Sequence, residues 1–220
     1  MNFNRHLWID KSQTKNLAQE LETIFKENNL ERKNIYLGGI SIGGNVVLSL
    51  SNHLIANNAA IKPQGVFIVD SPIDLFALYE SSVFDIKNPA LDEDRLEEPR
   101  GIINYLQSNF GSEEELLKNI QEVSPFTLKS EYINVPDLQN CKLRFYTEPD
   151  EKWWLENRQT NYKYTNAFTI QQLSNLLKKK KWTNFELIET KDKGYRSNGD
   201  RHPHSWSIVN KRELFQWIKK

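Results

Sequence analysis

The stretch Gly39–Gly43, with the pattern G-x-S-x-G, constrains the fold more than any other part of the sequence. It follows a short β-like run at residues 34–37 and leads into an apolar run of helical character at residues 45–50. A serine between two glycines in this setting indicates a strand–turn–helix connection so tight that its flanks must be almost free of side chains. We therefore expect an α/β chain in which both glycines allow this close approach and the hydroxyl of Ser41 is exposed above the sheet.

Two later segments end in residues that can serve such a serine as acid and base. An isolated serine hydroxyl is a poor nucleophile, and it needs a base that is itself oriented by a carboxylate. Residues 142–147 predict a strand, which is followed within three residues by Asp150. Residues 184–190 predict the next strand, and a long polar loop at residues 191–203 then leads to His204. The chain thus supplies all three residue types, each after a predicted strand.

The order of strand, serine turn, acid and histidine resembles the α/β-hydrolase superfamily from about residue 10 to the C-terminus. The resemblance implies a serine hydrolase that cleaves a carboxylic ester or a related acyl bond. It implies a catalytic triad of Ser41, Asp150 and His204, and an oxyanion site that includes the backbone amide of Ile42. Such an enzyme requires no cofactor, and its partner is a small ester or acyl substrate.

Both the acid and the base have a competitor in the sequence. Asp70 follows the apolar strand at residues 65–69 and is the alternative acid. Asp150 is preferred because this superfamily usually takes the acid from the last strand but one, although Asp150 could instead cap the helix that follows it. His202 is the alternative base, and His204 is preferred because it directly precedes the segment where the superfamily's histidine loop meets the final helix.

Composition excludes several other classes of protein. The chain has 220 residues, which suits one domain, and its 29 basic residues equal its 29 acidic ones. This balance gives no overall field toward nucleic acid or an anionic membrane. The single cysteine, Cys141, excludes an internal disulfide, and no C-x-x-C or H-E-x-x-H pattern predicts a metal site. Without a long apolar run or a recognisable leader, a cytoplasmic location is expected.

We expect one α/β domain over residues 1–220, with about four parallel strands in chain order and helices on both faces. A first helix is predicted at residues 12–28, and a helical lid is expected as an insertion at about residues 73–135. Within this insertion a helix is predicted at residues 101–108, and Ser112 with Glu115 forms a capping box for the next one. Its aromatic side chains are candidates for lining a substrate pocket, although lid core is their commoner role: Phe76, Tyr79, Phe84 and Tyr105.

The sequence departs from the complete superfamily pattern at its N-terminal end. There the serine turn follows the fifth of eight strands, whereas only 40 residues precede Ser41, and residues 1–4 resemble the end of a fourth strand. We therefore expect part of a longer sheet, whose strand at residues 35–37 exposes an edge and promotes self-association. The alternative to this truncated sheet is a divergent minimal hydrolase. The alternative to the hydrolase function is a non-catalytic or truncated protein that keeps the serine turn as architecture. Acyl transfer to an acceptor other than water fits the same residues.

Overall fold

A computed structural model describes residues 6–219, so the strand end expected at residues 1–4 lies outside the described residues. In chain order the strands are β1 (Ile35–Ile40), β2 (Pro63–Val69), β3 (Phe126–Thr127), β4 (Tyr132–Ile133), β5 (Lys142–Thr147) and β6 (Phe185–Glu189). The α-helices are α1 (Lys11–Glu27), α2 (Ile42–Ala56), α3 (Leu75–Ile86), α4 (Glu93–Phe110), α5 (Glu113–Ile120), α6 (Glu151–Arg158), α7 (Asn166–Lys179) and α8 (Lys211–Lys219).

The central sheet has the order β1-β2-β5-β6, and each neighbouring pair is parallel. This order follows the chain, as expected, and helices pack on both faces of the sheet. The register pairs Ile40 with Val69 and Val69 with Tyr146, so the carboxyl ends of β1, β2 and β5 lie level. Residues that directly follow these three strands therefore meet at one edge of the sheet.

Apolar side chains cover the sheet on both faces, as the continuous hydrophobic character of parallel strands requires. On one face Val66, Ile68 and Phe145 pack with Leu48 of α2 and Leu173 of α7 in a buried cluster. On the other face Val69 and Tyr146 pack with Ile208 and Val209, and Leu214 of α8 joins them. Helix α1 packs outside α2 through a separate buried cluster.

The insertion between β2 and β5 consists of helices α3, α4 and α5 and the short antiparallel pair β3–β4. It has its own core, in which Leu75, Leu106 and Leu116 are fully buried. The predicted capping box is present, since the side chain of Glu115 accepts a hydrogen bond from the backbone N–H of Ser112 at 3.2 Å. The insertion is thus a packed helical layer beside the carboxyl end of β2.

Two helices begin at other residues than the sequence predicts. Helix α4 begins at Glu93 rather than near residue 101, because Asp92 caps it by accepting a hydrogen bond from the backbone N–H of Arg95. The last helix begins at Lys211, and only a short 3₁₀ turn, Trp206–Ile208, follows His204 directly. No helix within residues 6–219 is both long and apolar enough to cross a membrane.

Candidate active site

Ser41 lies in the turn between β1 and α2 with a strained backbone. Its φ of 53° and ψ of −133° are rare for any residue other than glycine, and such conformations cost on the order of 1–3 kcal/mol. Hydrogen bonds hold the turn: Ser41 N–H donates to the Val69 carbonyl at 3.0 Å, and Gly44 N–H donates to the Ser41 carbonyl at 2.9 Å. Strain of this kind concentrates at functional sites, where the surrounding structure maintains it.

The glycines around Ser41 have unequal roles. A Cβ on Gly39 would lie 2.2 Å from the backbone oxygen of Gly43, and one on Gly44 would lie 2.0 Å from Oγ of Ser71. A Cβ on Gly43 would meet no atom within 4 Å. The expectation that both Gly39 and Gly43 must lack side chains is therefore wrong for Gly43, because the close approach involves its backbone and not its Cα substituent.

The carboxylate that contacts His204 belongs to Asp70, not to Asp150. Asp70 follows β2 directly, and its Oδ2 lies 2.7 Å from Nδ1 of His204. Its other oxygen, Oδ1, accepts a hydrogen bond from the Thr147 hydroxyl at 3.0 Å. Asp70 is 3% exposed, so this charge is held in a nearly dry environment beside the imidazole. The alternative acid of the sequence analysis is thus the one that the structure brings to the histidine.

Asp150, the acid preferred from the sequence, does other work. Its Oδ1 caps α6 by accepting a hydrogen bond from the Trp153 backbone N–H at 3.0 Å, and its Oδ2 pairs with Arg201 at 2.6 Å. The superfamily pattern placed the acid after β5, but the His204 ring contacts the carboxylate that follows β2. The helix that begins at Glu151 also draws the Asp150 carboxylate to its own N-terminus, as an aspartate at that position favours.

Glu148, for which no role was predicted, anchors the loop that carries the histidines. This histidine loop, residues 190–205, wraps a carboxylate that is only 1% exposed. Glu148 accepts hydrogen bonds from the Thr190 hydroxyl and from the backbone N–H groups of Lys193 and Gly194, at 2.8–3.2 Å. Nη2 of Arg201 lies 2.5 Å from Oε1 of Glu148 and 2.6 Å from Oδ2 of Asp150, so this arginine bridges the two carboxylates. An acid directly after an apolar strand was the signal that could have identified it.

The surroundings shift the pKa values of the two histidines of the loop in opposite directions. Burial alone would lower the pKa of His204, but the hydrogen bond and the charge of Asp70 outweigh it and raise that pKa above its ordinary value. Burial and the charges of Arg196 and Arg158 lower the pKa of His202 to about 4. His202 is therefore neutral near pH 7. Because Asp70 occupies Nδ1 of His204, the remaining nitrogen, Nε2, is the one free to act as a base.

Ser41 and His204 line a common cleft of about 530 Å³, the serine cleft, which lies between the sheet edge and the insertion. Its walls include Ile42, Leu78 and Ile102. The Ile42 amide opens α2 and is one of the first N–H groups of a helix, which have no partner within the helix.

The candidate pocket aromatics lie elsewhere. Phe76 and Tyr79 are buried in the insertion core, Tyr105 stacks on Trp8, and Phe84 stacks on Tyr164. Phe76, Tyr79 and Phe84 also line a larger groove of about 750 Å³ against α7. None of Ser41, Asp70 and His204 lines that groove, so the serine cleft, and not the larger groove, is the candidate active site. Within residues 6–219 no three His, Cys, Asp or Glu side chains are grouped as a metal site.

Several solved structures are similar to this chain at low sequence identity. Carboxyl esterase 2 from the mycorrhizal fungus Tuber melanosporum is 14% identical over 80% of this chain and 49% of its own, with a TM-score of 0.47. An esterase of the bacterial hormone-sensitive lipase family is 15% identical over 94% and 57%, with a TM-score of 0.48. An α/β hydrolase from Vibrio vulnificus is 11% identical over 96% and 55%, with a TM-score of 0.46.

The chain spans about half the length of these structures. No protein-family model matches the sequence, and no curated protein sequence matches it either.

Proposed function

We propose that this protein is a serine hydrolase that cleaves a carboxylic ester or a related acyl bond, with Ser41, His204 and Asp70 as its triad. The observation that carries the proposal is the 2.7 Å contact between the buried Asp70 and His204, which lines the same cleft as Ser41. An acid, an imidazole and a serine on a strained turn form the constellation that activates a hydroxyl toward carbonyl carbon. Asp70 replaces Asp150 in the triad expected from the sequence.

The reaction takes two half-steps. Oγ of Ser41 attacks the carbonyl carbon of the ester while its proton passes to Nε2 of His204, and the oxygen of the tetrahedral intermediate carries the negative charge. The Ile42 amide donates a hydrogen bond to that oxygen. The C–O bond to the alcohol then breaks, and the alcohol leaves with the proton from His204. A water molecule repeats the attack on the acyl-serine, releasing the carboxylic acid and restoring the serine hydroxyl.

Asp70 acts on this sequence through the imidazole. Its carboxylate holds Nδ1–H of His204 and stabilises the imidazolium that forms during each attack. Because Thr147 fixes the other carboxylate oxygen, the acid cannot turn away from the ring without losing a buried hydrogen bond. The same charge raises the pKa of His204, which makes the imidazole a stronger base.

A covalent labelling experiment tests the proposal. A fluorophosphonate probe should label the wild-type chain, and Ser41→Ala should abolish the label without lowering the thermal unfolding temperature. Ser81→Ala is the matched control, because Ser81 lines the same cleft but its hydroxyl donates to the Tyr164 carbonyl. Labelling that survives Ser41→Ala, or a wild type that is inert to the probe, would contradict the triad. The chain would then fit the non-catalytic reading, in which the turn is architecture.

The free edge of β1 supports a second part of the proposal. Within residues 6–219, β1 pairs only with β2, so its other side presents backbone groups that can pair with another strand. We expect the chain to self-associate through this edge. Sedimentation should show a concentration-dependent dimer, and a monomer at every concentration would contradict this part of the proposal.

A further inference from the structure

Three arginines line the serine cleft, and one of them, Arg95, donates a hydrogen bond to the Gln159 side chain. Arg158 ends α6 and Arg196 lies in the histidine loop, and both line the cleft together with Ser41 and His204. Among residues 6–219, neither guanidinium has a carboxylate within 4 Å. Arg201, in the same loop, shows the contrast, because two carboxylates neutralise it.

Arg158 contacts a group that cannot compensate its charge. Its Nη2 lies 3.3 Å from Nε2 of His202, a neutral ring that packs against Trp153 at 4.6 Å between ring centroids. The charges of Arg196 and Arg158 both act on His202, and that of Arg196 also acts on His204. Arg158 is half-buried, where a cation without a counter-charge is costly, whereas Arg196 is exposed. A planar guanidinium is suited to bidentate binding of a carboxylate or phosphate.

The helices of the insertion contribute mainly acidic side chains to the cleft. Asp85 of α3 and Asp94 and Glu98 of α4 line it, together with Arg95, which donates to the Gln159 side chain at 2.6 Å. Burial, with the nearby charge of Glu98, raises the pKa of Asp85 to about 6. Among residues 6–219 these carboxylates form no ion pair with Arg158 or Arg196, so the part of the cleft around these two arginines, the arginine wall, stays positively charged. An anionic ligand group is therefore attracted to the arginine wall and repelled by the insertion.

We propose that Arg158 and Arg196 bind a negatively charged group of the substrate, so that the preferred ester is anionic, such as a monoester of a short dicarboxylic acid. This inference rests on the proposed hydrolase function of Ser41. A cleft of about 530 Å³ suits a ligand of this size. Arg196 belongs to the histidine loop, so an anion bound there holds the ester beside Ser41 and His204. A carboxylate and a phosphonate share the required chemistry, and substrates of both kinds separate them.

The experiment compares four p-nitrophenyl esters of one chain length. They are the hydrogen glutarate (carboxylate), the 4-phosphonobutanoate, the neutral methyl glutarate and the cationic 4-trimethylammoniobutanoate. The wild type should prefer an anionic ester in kcat/KM, and the better of the two anions identifies the charged group. A neutral or cationic ester as the best substrate would overturn the proposal.

Variants assign that preference to the two arginines. Arg158→Gln should lower the anionic-to-neutral ratio of kcat/KM by about ten- to a hundredfold, as loss of a charge-assisted hydrogen bond predicts. Arg196→Gln, at an exposed side chain, should lower it by about two- to fivefold. Arg158→Lys should keep more of the ratio than Arg158→Gln. Arg100→Gln is the matched control, since Arg100 pairs with Glu93 on the surface outside the cleft and its removal changes net charge equally. A ratio unchanged in both cleft variants would refute the assignment.

Binding of glutarate separates this inference from the hydrolase proposal. If Ser41 is inert, isothermal titration calorimetry with glutarate still decides the subsite. Binding to the wild type that weakens in Arg196→Gln supports an anion site in a non-catalytic protein, whereas absence of glutarate binding overturns it. Arg196 is exposed, so its variant folds even if Arg158→Gln does not.

Discussion

Replacing Asp70 with asparagine should remove most of the activity while leaving the fold intact. Asparagine has the same shape, and it tolerates the positive φ of 42° at this position better than most residues do. The neutral amide cannot stabilise an imidazolium 2.7 Å away, and it favours the wrong tautomer of His204. The corresponding change in a serine triad lowers kcat about 10⁴-fold, which is about 5.4 kcal/mol at about 1.36 kcal/mol per tenfold change.

Asp150→Asn is the matched control for this prediction. Asparagine caps a helix about as well as aspartate, and Arg201 keeps its contact with Glu148. The unfolding free energy should therefore change by no more than about 1 kcal/mol, with kcat nearly unchanged. The assay measures kcat for a p-nitrophenyl ester and the labelling rate of Ser41, with thermal unfolding of both variants. Equal losses in the two variants, or a larger loss in Asp150→Asn, would refute the assignment of Asp70.

Three further perturbations test the surroundings of the triad. Gly39→Ala should destabilise the fold by about 1–3 kcal/mol because its Cβ meets backbone, whereas Gly43→Ala, in open space, should not; denaturant unfolding of the pair checks this. Glu148→Gln should cost about 3 kcal/mol and loosen the histidine loop, seen as faster hydrogen exchange there, whereas unchanged exchange would exclude an anchoring role. The rate should rise with pH through a His204 pKa above 6.5, since only the neutral ring accepts a proton, and a midpoint below 6.5 would contradict the contact with Asp70.

The elements of the fold were largely predictable, because each rests on a local pattern. The strand at residues 142–147 has the predicted bounds, and the capping box at Ser112 forms as expected. Ser41 could be found for the same reason, since its turn is a local feature. The start of α4 was missed because the capping aspartate at residue 92 lies in an acidic stretch that contains a proline, which the sequence analysis did not include in a helix.

The acid could not be selected from local patterns. Asp70 and Asp150 both follow strands, and the path of the histidine loop decides which carboxylate contacts His204, a residue 134 positions from Asp70. Asp150 was preferred only because the superfamily usually takes its acid from the last strand but one, and in this chain the carboxylate beside His204 follows β2 instead. The roles of Glu148 and Arg158 likewise arise from contacts between residues 42–46 positions apart, which no window of sequence contains.

The placement of the acid after β2 has a consequence for how the chain tolerates change. Ser41 and Asp70, the proposed nucleophile and acid, follow adjacent strands that the hydrogen bond from Ser41 to Val69 joins, so their spacing is set before the insertion begins. Helices α3–α5 can then lengthen, shorten or be exchanged without moving either residue. Only the histidine loop must be re-seated, and its anchor, Glu148, lies beyond the insertion as well. Residues 73–135 are therefore the part of the cleft wall that can vary in sequence, while Arg158 and Arg196, which lie outside these residues, keep their places.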